Sequence, residues 1–236
     1  MIERPRILIT EHAERRTEGI PELLCQSGAK VTVVKNYLGE PLPKVSEFDG
    51  IISGGGPMGI YEIYDGKYKF LSREKNFLID AIVKGKAVLG ICLGHQLLVS
   101  VLGGRAGLSL DTAEFGWSKI TLTPAGVKDP LFKDMPADFK AFEFHKDQVF
   151  SLPADAINLA TSSLCTIQAF RYSLQPVWGV QFHPEISPEK AEKILMAKRD
   201  VIESDGLDVF LAIKYGYHAD HKPRKQIFYN FVNLLK

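Results

Sequence analysis

Residues 86–96 read KAVLGICLGHQ, an apolar strand pattern that runs directly into a cysteine with a glycine two residues to either side. This spacing is typical of a nucleophile elbow, in which a strand turns sharply into a helix and raises a reactive side chain above the sheet. Side chains at Gly90 and Gly94 would crowd the neighbouring strands and helix, and the strained turn favours residues without them. The segment therefore predicts a strand, a raised Cys92 and a helix. A small buried cysteine at a tight corner is the alternative.

Short apolar runs alternate with helical patterns through the first half of the chain. The predicted elements, in chain order, are strand 6–10, helix 17–26, strand 30–35, strand 48–53, helix 71–84 and strand 86–91. This alternation is typical of an α/β fold with a mainly parallel sheet and helices on both faces.

After residue 104 the pattern becomes rich in strands and then returns to helix. We predict strands at 118–123, 141–150, 156–161, 167–172 and 177–182, and we expect them to form an antiparallel extension of the same sheet. Ser187 and Pro188 provide a cap and a first-turn proline for a helix at 190–202. Further helices are predicted at 205–213 and 225–235.

The size and charge of the chain limit what it can be. Its 236 residues suit one α/β domain, and we predict a single domain over 1–236 with a helical C-terminal elaboration at about 188–236. The 29 basic and 28 acidic residues leave a formal charge of +1, which favours neither nucleic acid nor a membrane as partner. No apolar run reaches the length of a membrane span or resembles a signal peptide. Three cysteines argue against a disulfide framework, so we expect a cytoplasmic protein.

A histidine and a glutamate downstream supply the groups that a reactive thiol needs. Residues 179–185 read GVQFHPE, and Pro184 biases His183 toward an extended conformation. Because residues two apart on an extended segment face the same side, Glu185 can reach back to the His183 ring. We predict that His183 is the base for Cys92 and that Glu185 fixes its tautomer. Without Cys92, a surface His-Pro-Glu turn would be the better interpretation.

Three motifs, in this order along the chain, resemble those of the class I, or triad-type, glutamine amidotransferase family. They are residues 53–57, SGGGP, residues 90–96, GICLGHQ, and residues 180–185, VQFHPE. The resemblance spans about 6–186. It implies a flavodoxin-like open, twisted sheet and hydrolysis of the side-chain amide of L-glutamine to glutamate and ammonia through a γ-glutamyl thioester on Cys92. We assign no cofactor and no metal.

The same motifs suggest how the reacting carbonyl is held. The amide of Leu93, directly after the nucleophile, is expected to point at the developing oxyanion. Gly56 follows a predicted strand and precedes Pro57, a position suited to bringing bare backbone close to a ligand, and we expect it to supply the second amide. Gln96 lies one helical turn after Cys92 and, by the resemblance, contacts the substrate glutamine.

Residues 143–147, EFHKD, resemble the family segment whose backbone receives the α-amino and α-carboxylate groups of glutamine. We therefore place Phe144, His145 and Lys146 among the substrate contacts. The match is looser here, because Phe144 and Lys146 depart from the small or polar residues of GMP synthetase glutaminases. A structural role for His145 is the alternative, at equal weight.

Three functions stay open at this point. The first is a glutamine amidotransferase-like hydrolase, with residues 58–61 and 114–117 resembling stand-alone family members rather than dedicated GMP synthetase subunits. The second is hydrolysis of γ-glutamyl peptides or conjugates by the same triad. The third is a binding or regulatory subunit that is inactive without a partner. The chain has no phosphate-binding Walker motif, so any synthase must be a separate chain.

The tail after Pro188 is longer than a minimal glutaminase needs. Its apolar positions can cover the core, form a homodimer or dock a partner chain, and coverage is the simplest interpretation. Residues 218–221, HADH, form one isolated cluster beside basic residues, which is more typical of a solvated loop than of a metal site.

Overall fold

The structure is a computed structural model that describes residues 3–63, 66–109, 112–204 and 206–236. Within these residues a sheet of nine strands crosses the molecule. In spatial order its strands are β2 (Lys30–Lys35), β1 (Arg6–Glu11), β3 (Gly50–Ser53), β4 (Ala87–Ile91), β11 (Val177–Val180), β10 (Ala169–Tyr172), β9 (Ala156–Thr161), β6 (Glu114–Leu122) and β7 (Asp138–His145). No described helix is long and apolar enough to cross a membrane.

The first five of these strands are parallel, and helices cover both faces of that half. The helices are α1 (Ile20–Gln26), α2 (Lys69–Val83) and α3 (Leu93–Val101). Successive strand residues point to opposite faces, so Ile7 and Ile9 pack into the core that contains α1, while Leu8 packs against α2 and α3. Every residue of β3 and β4 is buried, as expected of parallel strands between two helical layers. The predicted α/β class is confirmed.

The antiparallel extension is present, with two corrections. Residues 177–182 join the two halves of the sheet, because β11 is antiparallel to β10, as expected, but is also parallel to β4, with Val180 opposite Ile91. A strand buried on both faces carries no pattern that reveals its direction. The second correction concerns the predicted strand 141–150, which is two strands. β7 ends at His145, and β8 (Asp147–Ser151) pairs with β5 (Arg105–Leu108) in a separate sheet. Strand-forming residues continue through the break, so their pattern does not mark it.

The described residues of the tail form four helices, α4 (Pro188–Ala197), α5 (Arg199–Ser204), α6 (Val209–Tyr217) and α7 (Lys222–Asn233). The Ser187 hydroxyl accepts a hydrogen bond from the Lys190 amide, as expected of an N-cap. The predicted helix 190–202 is interrupted at Lys198, where α4 ends. The predicted helix 205–213 begins later, at Val209, and residue 205 lies outside the described residues. From α7, Phe228 and Phe231 are fully buried in the core on the α1 face, so this helix covers the sheet.

Candidate active site

Cys92 lies at a strained turn between β4 and α3. Its φ of 52° and ψ of −106° place a non-glycine residue in a region that side chains rarely adopt. A Cβ added to Gly90 would lie 2.4 Å from the Gly94 carbonyl oxygen, and one added to Gly94 would lie 2.1 Å from that of Ser53. Both flanking glycines are therefore required by backbone packing, for the reason that the sequence suggested.

His183 and Glu185 follow β11 and meet beside the cysteine. The His183 amide donates to the Phe142 carbonyl at 2.8 Å, which ties this segment to β7. The His183 Nδ1 atom lies 2.7 Å from Glu185 Oε1, in the pairing that the sequence predicts. A Cβ added to Gly55 would lie 2.9 Å from His183 Cε1 and 3.6 Å from Cys92 Cβ. The imidazole and the thiol side chain therefore lie against the same glycine.

The surroundings of His183 favour its charged form. Burial alone would lower the pKa of the ring, but the Glu185 carboxylate and the interaction with Cys92 outweigh burial and raise the pKa well above its ordinary value. The Glu185 side chain is fully buried, whereas the His183 side chain stays 12% exposed. An imidazolium that is paired with a cysteine on one side and a carboxylate on the other is an arrangement that stabilises a thiolate.

The two predicted oxyanion residues are in contact. A Cβ added to Gly56 would lie 2.6 Å from Leu93 Cδ2, so a larger residue would have to displace the Leu93 side chain or the loop. Leu93 is the first residue of α3, and its amide has no partner in the helical hydrogen-bond ladder. The next amide, that of Gly94, donates to the Gly54 carbonyl at 3.1 Å.

The four predicted substrate contacts line one cavity of about 390 Å³ together with Cys92 and His183. Gln96 is buried in its wall, where its Nε2 donates to the Asp147 carbonyl at 3.1 Å and to Gln181 Oε1 at 3.0 Å. Phe144 and Lys146 flank His145 in sequence and line the same cavity. The structure therefore brings together all nine residues that the sequence nominated: Cys92, His183, Glu185, Gly56, Leu93, Gln96, Phe144, His145 and Lys146.

The His145 ring is held in a buried charged cluster. Its Nδ1 lies 3.0 Å from the Asp147 carbonyl oxygen, and its Nε2 lies 3.2 Å from Glu143 and 3.4 Å from Glu114. Burial opposes the charge on His145, but the two carboxylates outweigh it and raise the pKa of His145 to about 10. Burial raises the pKa of Glu143 to about 7, although the nearby His145 acts to lower it. Among the described residues, only this group brings three potential metal-ligand side chains within 4.8 Å of one another, and its charges already offset one another.

A second histidine–glutamate pair, which the sequence analysis missed, supports the glycine loop. Glu74 of α2 is fully buried and lies 2.6 Å from His12 Nε2. It also accepts hydrogen bonds from the side chains of Thr10, Asn36 and Ser53 at 2.5, 2.7 and 2.8 Å. The signal was available, because Glu74 is the one charge among the apolar residues that α2 buries.

Arg224 of α7 holds the backbone of the histidine segment. Its guanidinium donates to the carbonyl oxygens of Pro184 and Glu185, each at 3.1 Å. About forty residues separate these groups in sequence, and no local pattern links them.

Comparison with known proteins adds four findings. The glutamine amidotransferase class-I family matches residues 9–201. A glutamine-hydrolyzing GMP synthase subunit from Methanococcus aeolicus is 35% identical over 150 residues, covering 62% of this chain and 71% of that one. The corresponding protein from Pyrococcus abyssi is 32% identical over 192 residues, with 80% and 94% covered. A crystal structure of a glutamine amidotransferase from Thermotoga maritima superposes with a TM-score of 0.86 at 26% identity, covering 99% of this chain and 98% of that one.

Proposed function

This chain belongs to the class I glutamine amidotransferase family, and from that premise we propose that Cys92, His183 and Glu185 are its catalytic triad. Membership gives the flavodoxin-like fold and the hydrolysis of glutamine through a thioester. One observation carries the assignment of residues. The His183 ring lies 2.7 Å from the Glu185 carboxylate on one side and beside Cys92, at a strained elbow, on the other.

The reaction then proceeds in two halves. The Cys92 thiolate attacks the γ-carbonyl carbon of glutamine, and the amides of Leu93 and Gly56 stabilise the oxyanion. The His183 imidazolium protonates the departing nitrogen, so ammonia leaves and a thioester remains. The neutral ring next takes a proton from water, whose oxygen attacks the thioester and releases glutamate. Glu185 keeps the ring in one tautomer throughout.

We place the substrate between Gln96 and the segment 144–146. Gln96 is fixed by two hydrogen bonds, which suits a residue that orients a ligand. The backbone of Phe144, His145 and Lys146 would receive the α-amino and α-carboxylate groups. The buried ion pairs of His145 hold that segment still.

A separate synthase chain is the proposed destination of the ammonia. The relatives from Methanococcus aeolicus and Pyrococcus abyssi are subunits of a glutamine-hydrolyzing GMP synthase, as their names state. The single domain over 1–236 and the homodimer that the sequence leaves open stay predictions.

The test is release of ammonia and glutamate by the purified chain supplied with glutamine. We expect Cys92→Ala to reduce turnover by about 10⁴-fold or more, because no other group can form the thioester, while glutamine binding measured by calorimetry persists. Turnover that survives in this variant would remove the mechanism. A wild-type chain that is inactive until a partner is added would favour the regulatory alternative.

A further inference from the structure

The active-site cavity extends to a wall that departing ammonia does not need. Arg16, from the loop after β1, and Lys198, between α4 and α5, line this wall beside Val201. The cavity encloses about 390 Å³, within the range of roughly 300–1,000 Å³ that holds drug-sized ligands. Glutamine is smaller than such ligands, and its leaving group is a single nitrogen. The cavity therefore has room for a substrate with a larger leaving group.

Arg16 lies near His183 as well as in the lining of the active-site cavity. It shares a second, narrow cavity with His183 and Glu185, and His183 is the group that we propose to protonate the departing nitrogen. Of the residues proposed to contact the glutamyl part, only Phe144 lines that narrow cavity, whereas Gln96, His145 and Lys146 do not. Arg16 is thus close to the histidine that protonates the γ-amide nitrogen, a position that favours contact with the group that this nitrogen carries.

The charges of Arg16 and Lys198 are available for a ligand. Within the described parts of the chain, neither side chain forms an ion pair, although neighbouring cations do. The carboxylate of Glu18 lies 2.9 Å from the Arg15 guanidinium and 3.8 Å from Lys190 Nζ. Arg16 is also half-buried, so an anion bound beside it is partly shielded from water, which strengthens the attraction.

Apolar side chains complete the wall. Phe115 and Phe144 pack edge to face at 5.1 Å and line the same cavity, and Val201 is 49% exposed beside Lys198. A ligand that suits these surroundings has an apolar body and an anionic end.

We propose that this wall is a subsite for leaving groups that carry a carboxylate, so that the chain also hydrolyses γ-glutamyl amino acids and γ-glutamyl peptides. The inference rests on the proposed function, because the same Cys92 thioester forms. As the bond between Sγ and the γ-carbonyl carbon forms, the bond from that carbon to the amine nitrogen breaks, and His183 gives its proton to the nitrogen. Water then releases glutamate as before, and the carboxylate of the departing amino acid lies against Arg16 and Lys198.

The experiment compares three substrates on the full chain: glutamine, γ-glutamylvaline and γ-glutamylvaline amide. The two dipeptides have the same body and differ only in the charge of the leaving group. We expect kcat/KM for the free acid to exceed that for the amide by about tenfold, the effect of one hydrogen-bonded charge.

Variants test which residues cause the preference for the free acid over the amide. We expect Arg16→Ala with Lys198→Ala to bring the acid-to-amide ratio close to one, and Arg16→Glu to reverse it. Lys193→Ala is the matched control, because this lysine lies on the neighbouring helix α4 and does not line the active-site cavity. It should leave the ratio unchanged.

The outcomes separate the inference from the proposed function. Equal cleavage of acid and amide, or an unchanged ratio in the double variant, would overturn the subsite. Hydrolysis of glutamine without cleavage of either dipeptide would also overturn it, while leaving the triad intact. Failure of all three substrates would remove the proposed function and the inference together.

Discussion

His183–Glu185 and His12–Glu74 are two buried ion pairs of similar length, 2.7 and 2.6 Å, on either side of the glycine loop at residues 54–56. A Cβ on Gly55 would meet the first histidine at 2.9 Å, and one on Gly56 would meet the second at 3.0 Å. In both pairs burial opposes the charged ring, and the carboxylate outweighs burial and raises the pKa of the histidine.

The pairs differ in what else they touch. Glu74 accepts three further hydrogen bonds, and its histidine is fully buried beside the loop backbone. His183 faces Cys92 and keeps 12% of its side chain exposed to the cavity. A raised pKa is therefore not sufficient to identify a catalytic histidine. Access to a nucleophile distinguishes the proposed proton carrier from the pair that supports the loop.

The largest expected effect comes from removing the proposed proton carrier. We expect His183→Asn to lower kcat for glutamine by about 10³- to 10⁴-fold, because the thiol loses its base and the leaving nitrogen its acid. The matched change His12→Asn should lower kcat far less and act mainly on stability. Steady-state ammonia release and urea unfolding of both variants measure the contrast. Equal losses of kcat would break the distinction between the pairs.

Removing the carboxylate of the proposed triad should have the next largest effect. Glu185→Gln keeps the shape but removes the charge that raises the pKa of His183. The activity should fall by about 10²-fold. Because the imidazolium is needed, activity is lost as pH rises through the His183 pKa, and that alkaline limit should move to lower pH. An unchanged pH profile of kcat/KM would contradict the role of Glu185.

The loop-supporting pair should matter chiefly to stability. Glu74→Gln leaves His12 buried without a charged partner, and we expect the free energy of unfolding to fall by about 3–5 kcal/mol. The pKa of Glu74 is lowered in the folded protein. Its contribution to stability is therefore present above about pH 4.3 and is lost as pH falls through the folded-state pKa. The pKa of His12 is raised in the folded protein. Its contribution to stability is therefore present below about pH 6.5 and is lost as pH rises through the folded-state pKa.

Urea unfolding across this pH range checks the stability effect. We also expect kcat to fall about tenfold with little change in KM, because the loop that carries the Gly56 amide loosens while the substrate contacts remain. A stable variant with unaltered kcat would show that the pair does not position the loop.

The contrast between the pairs also explains what could be predicted. The proposed triad, the elbow and the loop glycines follow from short motifs in which spacing fixes geometry, and the contact between His183 and Glu185 spans two residues. The contact between His12 and Glu74 spans 62 residues, and Arg224 reaches Glu185 across 39. Such contacts depend on how the elements pack, which no local pattern specifies.

The fold shows the same limit. The predicted strands at 30–35 and 156–161 match β2 and β9, because strand-forming residues end there at turn residues. The prediction lacked the parallel pairing of β11 with β4 and the break at Lys146, since both depend on which neighbour a strand pairs with. In the tail, the N-cap at Ser187 was predictable, whereas the end of α4 directly before Lys198 was not.

The most direct test of the distinction between the pairs is an NMR titration of the imidazole nitrogens in the wild-type chain and in Cys92→Ala. Cys92 contributes to the raised pKa of His183 and has no part in that of His12. We predict that the substitution lowers the pKa of His183 and leaves that of His12 unchanged. A His183 pKa that does not respond to the loss of the thiol would contradict the account.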